Sequence, residues 1–311
     1  MNRKILSLLL LVPFLVALGS HVNSGEEKKL NVGVSLHPYY SWVSNIVGDT
    51  AKVTPIIPTD SDPHSYQPRT QDLANLRNLD VIVINDVGHD EYIKPMLKSA
   101  APEGLHTINT SIGLPLIPIF QETYSFEGEQ PSGERSVSYN SHTYIAITGA
   151  IQQINTIARE LGRLRPDCAD LYKKNARAYA KRLRRMLAAA LEKVNALDTS
   201  KVRVATVHDG YAYLMQELGL ETAAVIQPRH GIEPNPRQLQ DTINRIKGAG
   251  VNVLFTELDY QKRYVDIIYE ETGCRIYRLS HISHGPYTAD KFERDIQGNL
   301  DDIIKALTDA K

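Results

Sequence analysis

The chain has 311 residues with 35 basic and 36 acidic side chains, a formal net charge of −1 and 42% hydrophobic content. That is a globular composition with room for two domains, and its charge balance excludes nucleic-acid binding as the main role. No low-complexity tract or short-period repeat interrupts it.

Asn2-Arg3-Lys4 is followed by an apolar run from Ile5 to Leu18, broken only by Ser7 and Pro13, and by a small-x-small site at Ala17-Leu18-Gly19. The run is short for a membrane span, so residues 1–19 read as a cleaved signal peptide, with an uncleaved anchor as the alternative. Export permits disulfides. For Cys168 and Cys274 we expect two partly buried free thiols, although spacing alone leaves a pair open.

After a polar lead-in, alternation in Leu30–Leu36 predicts a strand ending at His37-Pro38, and a helix carrying Trp42, Val43 and Ile46 stops at Gly48. A strand over Ala51–Ile57 leads to the loop Thr59-Asp60-Ser61-Asp62-Pro63-His64-Ser65-Tyr66, and Thr70 caps a helix with Leu73, Leu76 and Leu79. The continuous apolar run Val81–Ile84 marks a strand buried on both faces. It is followed by Asn85-Asp86-Val87-Gly88-His89, a helix, and a short strand near Leu105–Ile108. This βαβα succession predicts a parallel sheet. Residues 113–141 show no period and are rich in Pro, Gly and acidic residues, as in a long loop. His142 is expected at the start of a helix running to about Leu164.

From Pro166 to about Leu197 no Gly or Pro intervenes. Leu171, Tyr179, Leu183, Met186, Leu187, Ala190, Leu191, Val194 and Leu197 form a stripe at helical spacing. Pro166 suits a first turn, and Asp167 and Asp170 complement the dipole. At about 1.5 Å per residue this helix is roughly 45 Å long, more than one small lobe. Strand and helix patterns then resume: Val202–Val207 ending at His208-Asp209-Gly210, Ala223–Ile226, Val251–Phe255 ending at Glu257, and Arg275–Leu279 ending at Ser280-His281-Ile282-Ser283-His284. A helix from about Ala289 closes the chain. The expected fold is therefore α/β: two lobes (20–165 and 199–311), each with a mainly parallel sheet flanked by helices, joined by a rigid spine helix over 166–198.

Five histidines, His37, His64, His89, His208 and His281, follow predicted strands within a few residues, with His284 just beyond. Ligands bind outside the carboxyl ends of strands in open α/β sheets, and imidazole is the commonest zinc ligand. A metal site at that rim is expected. His64, stiffened by Pro63, and His208, at a strand end, lead the candidates. His142 follows the turn signal Asn140-Ser141, and His281 and His284 compete for one corner. His37 lines the cleft or caps a helix. Glu257 is a metal or cleft candidate, or orients a ligand. His89 and His106 read as structural and His230 as a rim residue. No G-x-S-x-G elbow, H-E-x-x-H, cysteine nucleophile, P-loop or dinucleotide motif occurs, which favours binding over catalysis. A two-lobed metal chelatase or metallohydrolase is the enzymatic alternative.

Several motifs recur together: Ile46-Val47-Gly48-Asp49, Asp62-Pro63-His64-Ser65-Tyr66-Gln67-Pro68, Asn85-Asp86-Val87-Gly88, and Asn175-Ala176 with Tyr179. They continue with His208-Asp209-Gly210-Tyr211-Ala212-Tyr213, Glu233-Pro234-Asn235-Pro236 and Phe255-Thr256-Glu257. In these the chain resembles the periplasmic solute-binding components of zinc and manganese ABC importers, of the zinc-uptake type. The resemblance implies a monomeric, non-enzymatic, extracytoplasmic protein that hands metal to a membrane permease, with release by local loop movement. It places three ligands on His64, His142 and His208 and a fourth on His281, with His284 second. Asn140-Ser141 replaces the Asp-Pro usual before the second ligand, and the 280–284 segment replaces the usual fourth-ligand aspartate. The His-rich loop of many zinc-selective members is absent, since residues 113–141 contain no histidine. Three imidazoles plus a fourth nitrogen suit Zn²⁺, with Mn²⁺ or Fe²⁺ as alternatives.

Overall fold

The structure is a computed structural model that describes residues 29–119, 138–226, 235–258 and 261–310. Residues 1–19, expected as a signal peptide, most of the 113–141 segment and His230 lie outside the described residues.

The first sheet is built from β1 (Leu30–Val34), β2 (Ala51–Pro55), β3 (Val81–Ile84) and β4 (His106–Asn109), in the order β2-β1-β3-β4 and parallel throughout. Its crossovers are α1 (His37–Val47), α2 (Thr70–Leu76) and α3 (Ile93–Ala100). All four residues of β3 are buried, because helices cover both faces of a parallel sheet. A two-stranded antiparallel pair, β5 (Pro118–Ile119) with β6 (Ser138–Tyr139), forms within the segment 113–141 that was expected as a loop throughout. Then α4 (Ile147–Leu164) leads to a 3-10 turn over Pro166–Cys168 and to α5 (Ala169–Asn195). The second sheet repeats the plan with β7 (Val204–Thr206), β8 (Thr222–Val225), β9 (Val253–Glu257) and β10 (Arg275–Leu279), in the order β10-β9-β7-β8 and again parallel. Its helices are α6 (Ala212–Glu217), α7 (Pro236–Gly248), α8 (Lys262–Thr272) and α9 (Lys291–Asp309).

In both sheets the chain reverses direction around one central strand: β1 in the first, β7 in the second. A crevice opens at such a switch point, above the carboxyl ends of the strands. His37 follows β1 and His208 follows β7, and Glu257 ends β9 beside it.

The 27-residue α5 is rich in Ala, Leu, Lys and Arg, all strong helix formers. Tyr172, Ala176, Tyr179, Ala180, Leu183, Ala190 and Val194 form its buried stripe. Leu171, expected in that stripe, is instead exposed: one position before Tyr172, it is rotated about 100° around the helix from it and falls off the buried face. The helix holds the two sheets through one continuous apolar core that includes Val32, Trp42 and Ile154 from the first half and Val204, Phe255 and Phe292 from the second. Arg182 donates to both carboxylate oxygens of Glu293 on α9 (2.8 and 3.1 Å) and to Asn45 on α1 (2.9 Å), stitching three helices together. A shared core of this kind resists hinge opening, since parting the halves would expose it to water.

The segment after β10 adds a second clasp. Gly285 N–H donates to Thr59 O (2.9 Å), Tyr287 Oη–H to Ile57 O (2.9 Å) and Ser41 Oγ–H to Thr288 O (2.8 Å). His37 stacks on Tyr287, with ring centres 4.2 Å apart and planes 13° from parallel. Burial, then Lys291 and His284, lowers the His37 pKa to about 3. The unfolded chain binds a proton at this position below about pH 6.5, whereas the folded chain does so only near pH 3. Acidification through that window therefore costs stability, up to about 5 kcal/mol at 1.36 kcal/mol per pKa unit. The chelator-treated His37→Gln protein is expected to lose less stability than wild type between pH 6.5 and 4, measured by urea unfolding.

Cys168 and Cys274 are both free and buried, as expected for two thiols. Burial pushes the Cys274 thiol up to about 12, so it stays protonated and unreactive.

Candidate metal centre

Four side chains from both halves converge in the crevice. His64, His142, His208 and His281 each present a ring nitrogen, and these atoms all lie within 4.8 Å of one another. His64 is exposed while the other three are buried. Donors around a tetrahedral zinc with bonds of about 2.0–2.1 Å stand roughly 3.4 Å apart. From a widest spacing of 4.8 Å the cluster therefore needs to contract by about 1.4 Å at most to hold one ion.

Each ring is aimed by local structure. His64 lies in a turn made by Asp62, whose carboxylate accepts from His64 N–H and from Ser65 Oγ–H, both at 3.0 Å. Asp and Asn favour such turns because their side chains bond the backbone two residues on. His64 Nε2 faces His142 Nε2 at 3.1 Å. His142 is not at a helix start, as its sequence context suggested; α4 begins at Ile147, and His142 sits in the turn before it. Asn140 sets its geometry: the Asn140 side-chain oxygen accepts from His142 N–H (3.0 Å) and contacts His142 Nδ1 (2.9 Å). A proton on Nδ1 satisfies that contact and leaves the Nε2 lone pair for a ligand. The Asn140 amide in turn donates to Asp209 O (2.8 Å), coupling this ring to the segment that carries His208. Asn140 reads in the sequence only as a turn former, because its second role needs a partner 69 residues away.

His208 Nδ1 lies 3.1 Å from the Gly210 N and 3.3 Å from Glu257 Oε1. The amide contact requires an unprotonated Nδ1, and the carboxylate contact a protonated one. A ligand on Nε2 selects the second arrangement, with Glu257 behind the imidazole as a hydrogen-bond acceptor. Gly210 is required by close approach: a Cβ there would fall 2.7 Å from both His208 Nδ1 and His281 Nε2.

His281 follows β10, and its neighbour Ile282 has φ +58°, a left-handed conformation that β-branched residues avoid. Such strain costs on the order of 1–3 kcal/mol and is maintained where the surroundings over-determine the backbone. It turns His281 into the cluster, whereas His284 lies outside it with Nδ1 beside Ser283 Oγ (2.9 Å). His37 is also outside, stacked on Tyr287.

A fifth ring, His89, is inside the cluster. Its centre is 4.2 Å from that of His64, 4.8 Å from His142 and 5.6 Å from His281. Its position past a strand end was visible in the sequence, but nothing local separated it from a structural histidine. Burial and then the neighbouring imidazoles of His208, His281, His89 and His64 hold the His142 pKa well below its ordinary value. The ring is therefore neutral near pH 7, and no proton has to leave it before a cation binds.

Two parallel sheets over a shared core, with four imidazoles from both halves gathered within 4.8 Å, define a two-lobed α/β protein with a candidate metal site. The chain matches the family model described as ZnuA, zinc-uptake complex component A, periplasmic, over residues 32–306, and it belongs to that family of solute-binding proteins, which are not enzymes. It is 25% identical over 267 residues to the zinc-binding lipoprotein AdcA of Streptococcus pneumoniae serotype 4, matching 84% of this chain. The match takes in 51% of AdcA, so the chain spans about half the length of that relative. The solute-binding protein FpvC of Pseudomonas aeruginosa is similar over its whole length. Its structure with Mn²⁺ is 45% identical with a TM-score of 0.83, covering 91% of this chain and 100% of that one. Its structure with Ni²⁺ is 44% identical with a TM-score of 0.81, covering 91% and 98%.

Proposed function

We propose that this protein captures a divalent transition-metal ion outside the cytoplasm and delivers it to the membrane permease of an ABC-type importer. Its ligands in this reading are His64, His142, His208 and His281, with Glu257 bracing His208. The observation that carries the reading is the convergence of four imidazole nitrogens within 4.8 Å. An all-nitrogen donor set suits Zn²⁺, because manganese prefers carboxylate and water oxygens. The similarity to FpvC, solved with Ni²⁺ and with Mn²⁺, supports a second reading in which Mn²⁺ or another first-row ion, including Fe²⁺, is the cargo.

Residues 1–19 act as a cleaved export signal in this proposal, and the mature chain works as a monomer divided into lobes over 20–165 and 199–311 with the spine over 166–198. The continuous core argues against wide hinge motion and favours release through the loop bearing His64, the one exposed ligand.

Elemental analysis tests the proposal. Mature protein loaded anaerobically from an equal mixture of Zn²⁺, Mn²⁺ and Fe²⁺ and then desalted should retain close to one zinc per chain. Retained manganese or iron would replace the metal and keep the role; no retained metal would refute the site.

A further inference from the structure

Tyr144 stands between two of the clustered rings. Its hydroxyl lies 2.8 Å from His89 Nε2 and 3.4 Å from His281 Nδ1, and the side chain is fully buried. Resting on the metal-binding reading above, we propose that Tyr144 and His89 are positioning residues for the metal site. In this proposal the file His281–Tyr144–His89 fixes which nitrogen of His281 carries the proton and so reserves the other for the ion.

The two nitrogens of His281 face different surroundings. Nε2 points toward Gly210 and His208, since a Cβ on Gly210 would stand 2.7 Å from it, while Nδ1 points at Tyr144. A phenol has a single proton to donate. If it goes to His281 Nδ1, the His281 ring proton must sit on Nε2, where it blocks a metal. If it goes to His89 Nε2, the Tyr144 oxygen accepts from His281 Nδ1–H, and the Nε2 lone pair is open. The shorter contact is the one to His89, which selects the second direction. No proton enters or leaves the file; only the donor direction is set. Ligating histidines are commonly aimed in this way by a hydrogen bond to their other nitrogen, and here a tyrosine backed by a fifth imidazole supplies it.

His89 is firmly held for the task. It sits in the turn after β3, where the adjacent Asp90 carboxylate accepts from Ser35 Oγ–H (2.5 Å), Asn85 N–H (2.7 Å) and Asp86 N–H (3.0 Å). The Asn85 amide donates to Ser141 O and Thr143 Oγ, both at 3.2 Å, tying that turn to the segment bearing His142 and Tyr144. The ring and the hydroxyl that meets it thus share one scaffold.

The test uses the mature chain with Zn²⁺ and Co²⁺ as probes. Tyr144→Phe removes only the hydroxyl, and His89→Leu removes the acceptor, whereas His89→Gln keeps a carbonyl oxygen to receive the Tyr144 proton. We expect about 10–100-fold weaker Zn²⁺ binding for Tyr144→Phe and His89→Leu, the range seen when a ligand's supporting hydrogen bond is lost. His89→Gln should recover most of that loss. Nitrogen-15 NMR of the metal-free protein should find His281 protonated on Nδ1 in wild type and shifted toward Nε2 in Tyr144→Phe. If wild type binds no metal, the functional reading itself fails. If it binds and both disruptive variants bind equally well, with His281 unchanged, the file has no positioning role. Loss of a nitrogen donor from the Co²⁺ spectrum in His89→Gln would make His89 a ligand instead and overturn the proposal.

Discussion

Replacing His142 by alanine is expected to weaken Zn²⁺ binding by more than about 100-fold, beyond the 10–100-fold range for losing a supporting hydrogen bond. His142 lies at the middle of the cluster. Its Nε2 is 3.1 Å from His64 Nε2, and its ring centre is 4.7 Å from those of both His208 and His281. Removing it leaves three of the four proposed ligands around a gap, which water can fill but without an imidazole's donor strength. Little stability should be lost with it, because the ring is a buried polar group whose uncharged form is enforced by its surroundings. Competition against a chromophoric chelator, with unfolding of the metal-free protein alongside, separates the two quantities. Unchanged affinity in this variant would remove His142 from the ligand set.

Replacing Trp42 by alanine should give the opposite pattern, with metal-free stability falling by about 3–5 kcal/mol, the usual cost of emptying a buried aromatic site. Trp42 is fully buried on α1, its ring 5.2 Å from that of Tyr39 and 5.2 Å, edge-on, from Phe292 on α9. It therefore belongs to the part of the core that joins the two halves. No metal-cluster residue touches the ring in these contacts, so the folded fraction should bind Zn²⁺ with near-normal affinity. Saturating metal should then recover part of the lost stability, by about 2.7 kcal/mol at a hundredfold excess over Kd. Trp42 is the sole tryptophan, so circular dichroism must report the unfolding. A loss below about 1 kcal/mol would mean that the halves are not held together through this contact.

These two variants separate what the chain encodes locally from what it encodes at a distance. The elements were legible from period and punctuation. Val81–Ile84 reads as a buried parallel strand because every residue is apolar, and α5 reads as a long helix because nothing in it breaks the backbone ladder. The placement of histidines just past strand ends was equally plain, and parallel sheets put such positions on one rim. Strand ends shifted by a residue or two, as between the expected Ala51–Ile57 and the observed Ala51–Pro55, because hydrogen bonding and not hydrophobicity ends a strand.

Other features were decided only by the tertiary structure. His281 and His284 are three residues apart with similar neighbours, and the left-handed turn at Ile282 sends one into the cluster and leaves the other beside Ser283. His89 looks like any buried histidine until His64, more than twenty residues earlier, and His281, nearly two hundred later, are brought against it. Asn140 and Tyr144 carry no local mark of their contacts to Asp209 and His281, since those partners are supplied by other loops. Sequence by itself determined the helices, the strands and the chemistry available at their ends, because those follow from interactions a few residues apart. Which of those side chains meet was decided by how two sheets pack on one helix, an outcome of long-range burial that no local pattern records.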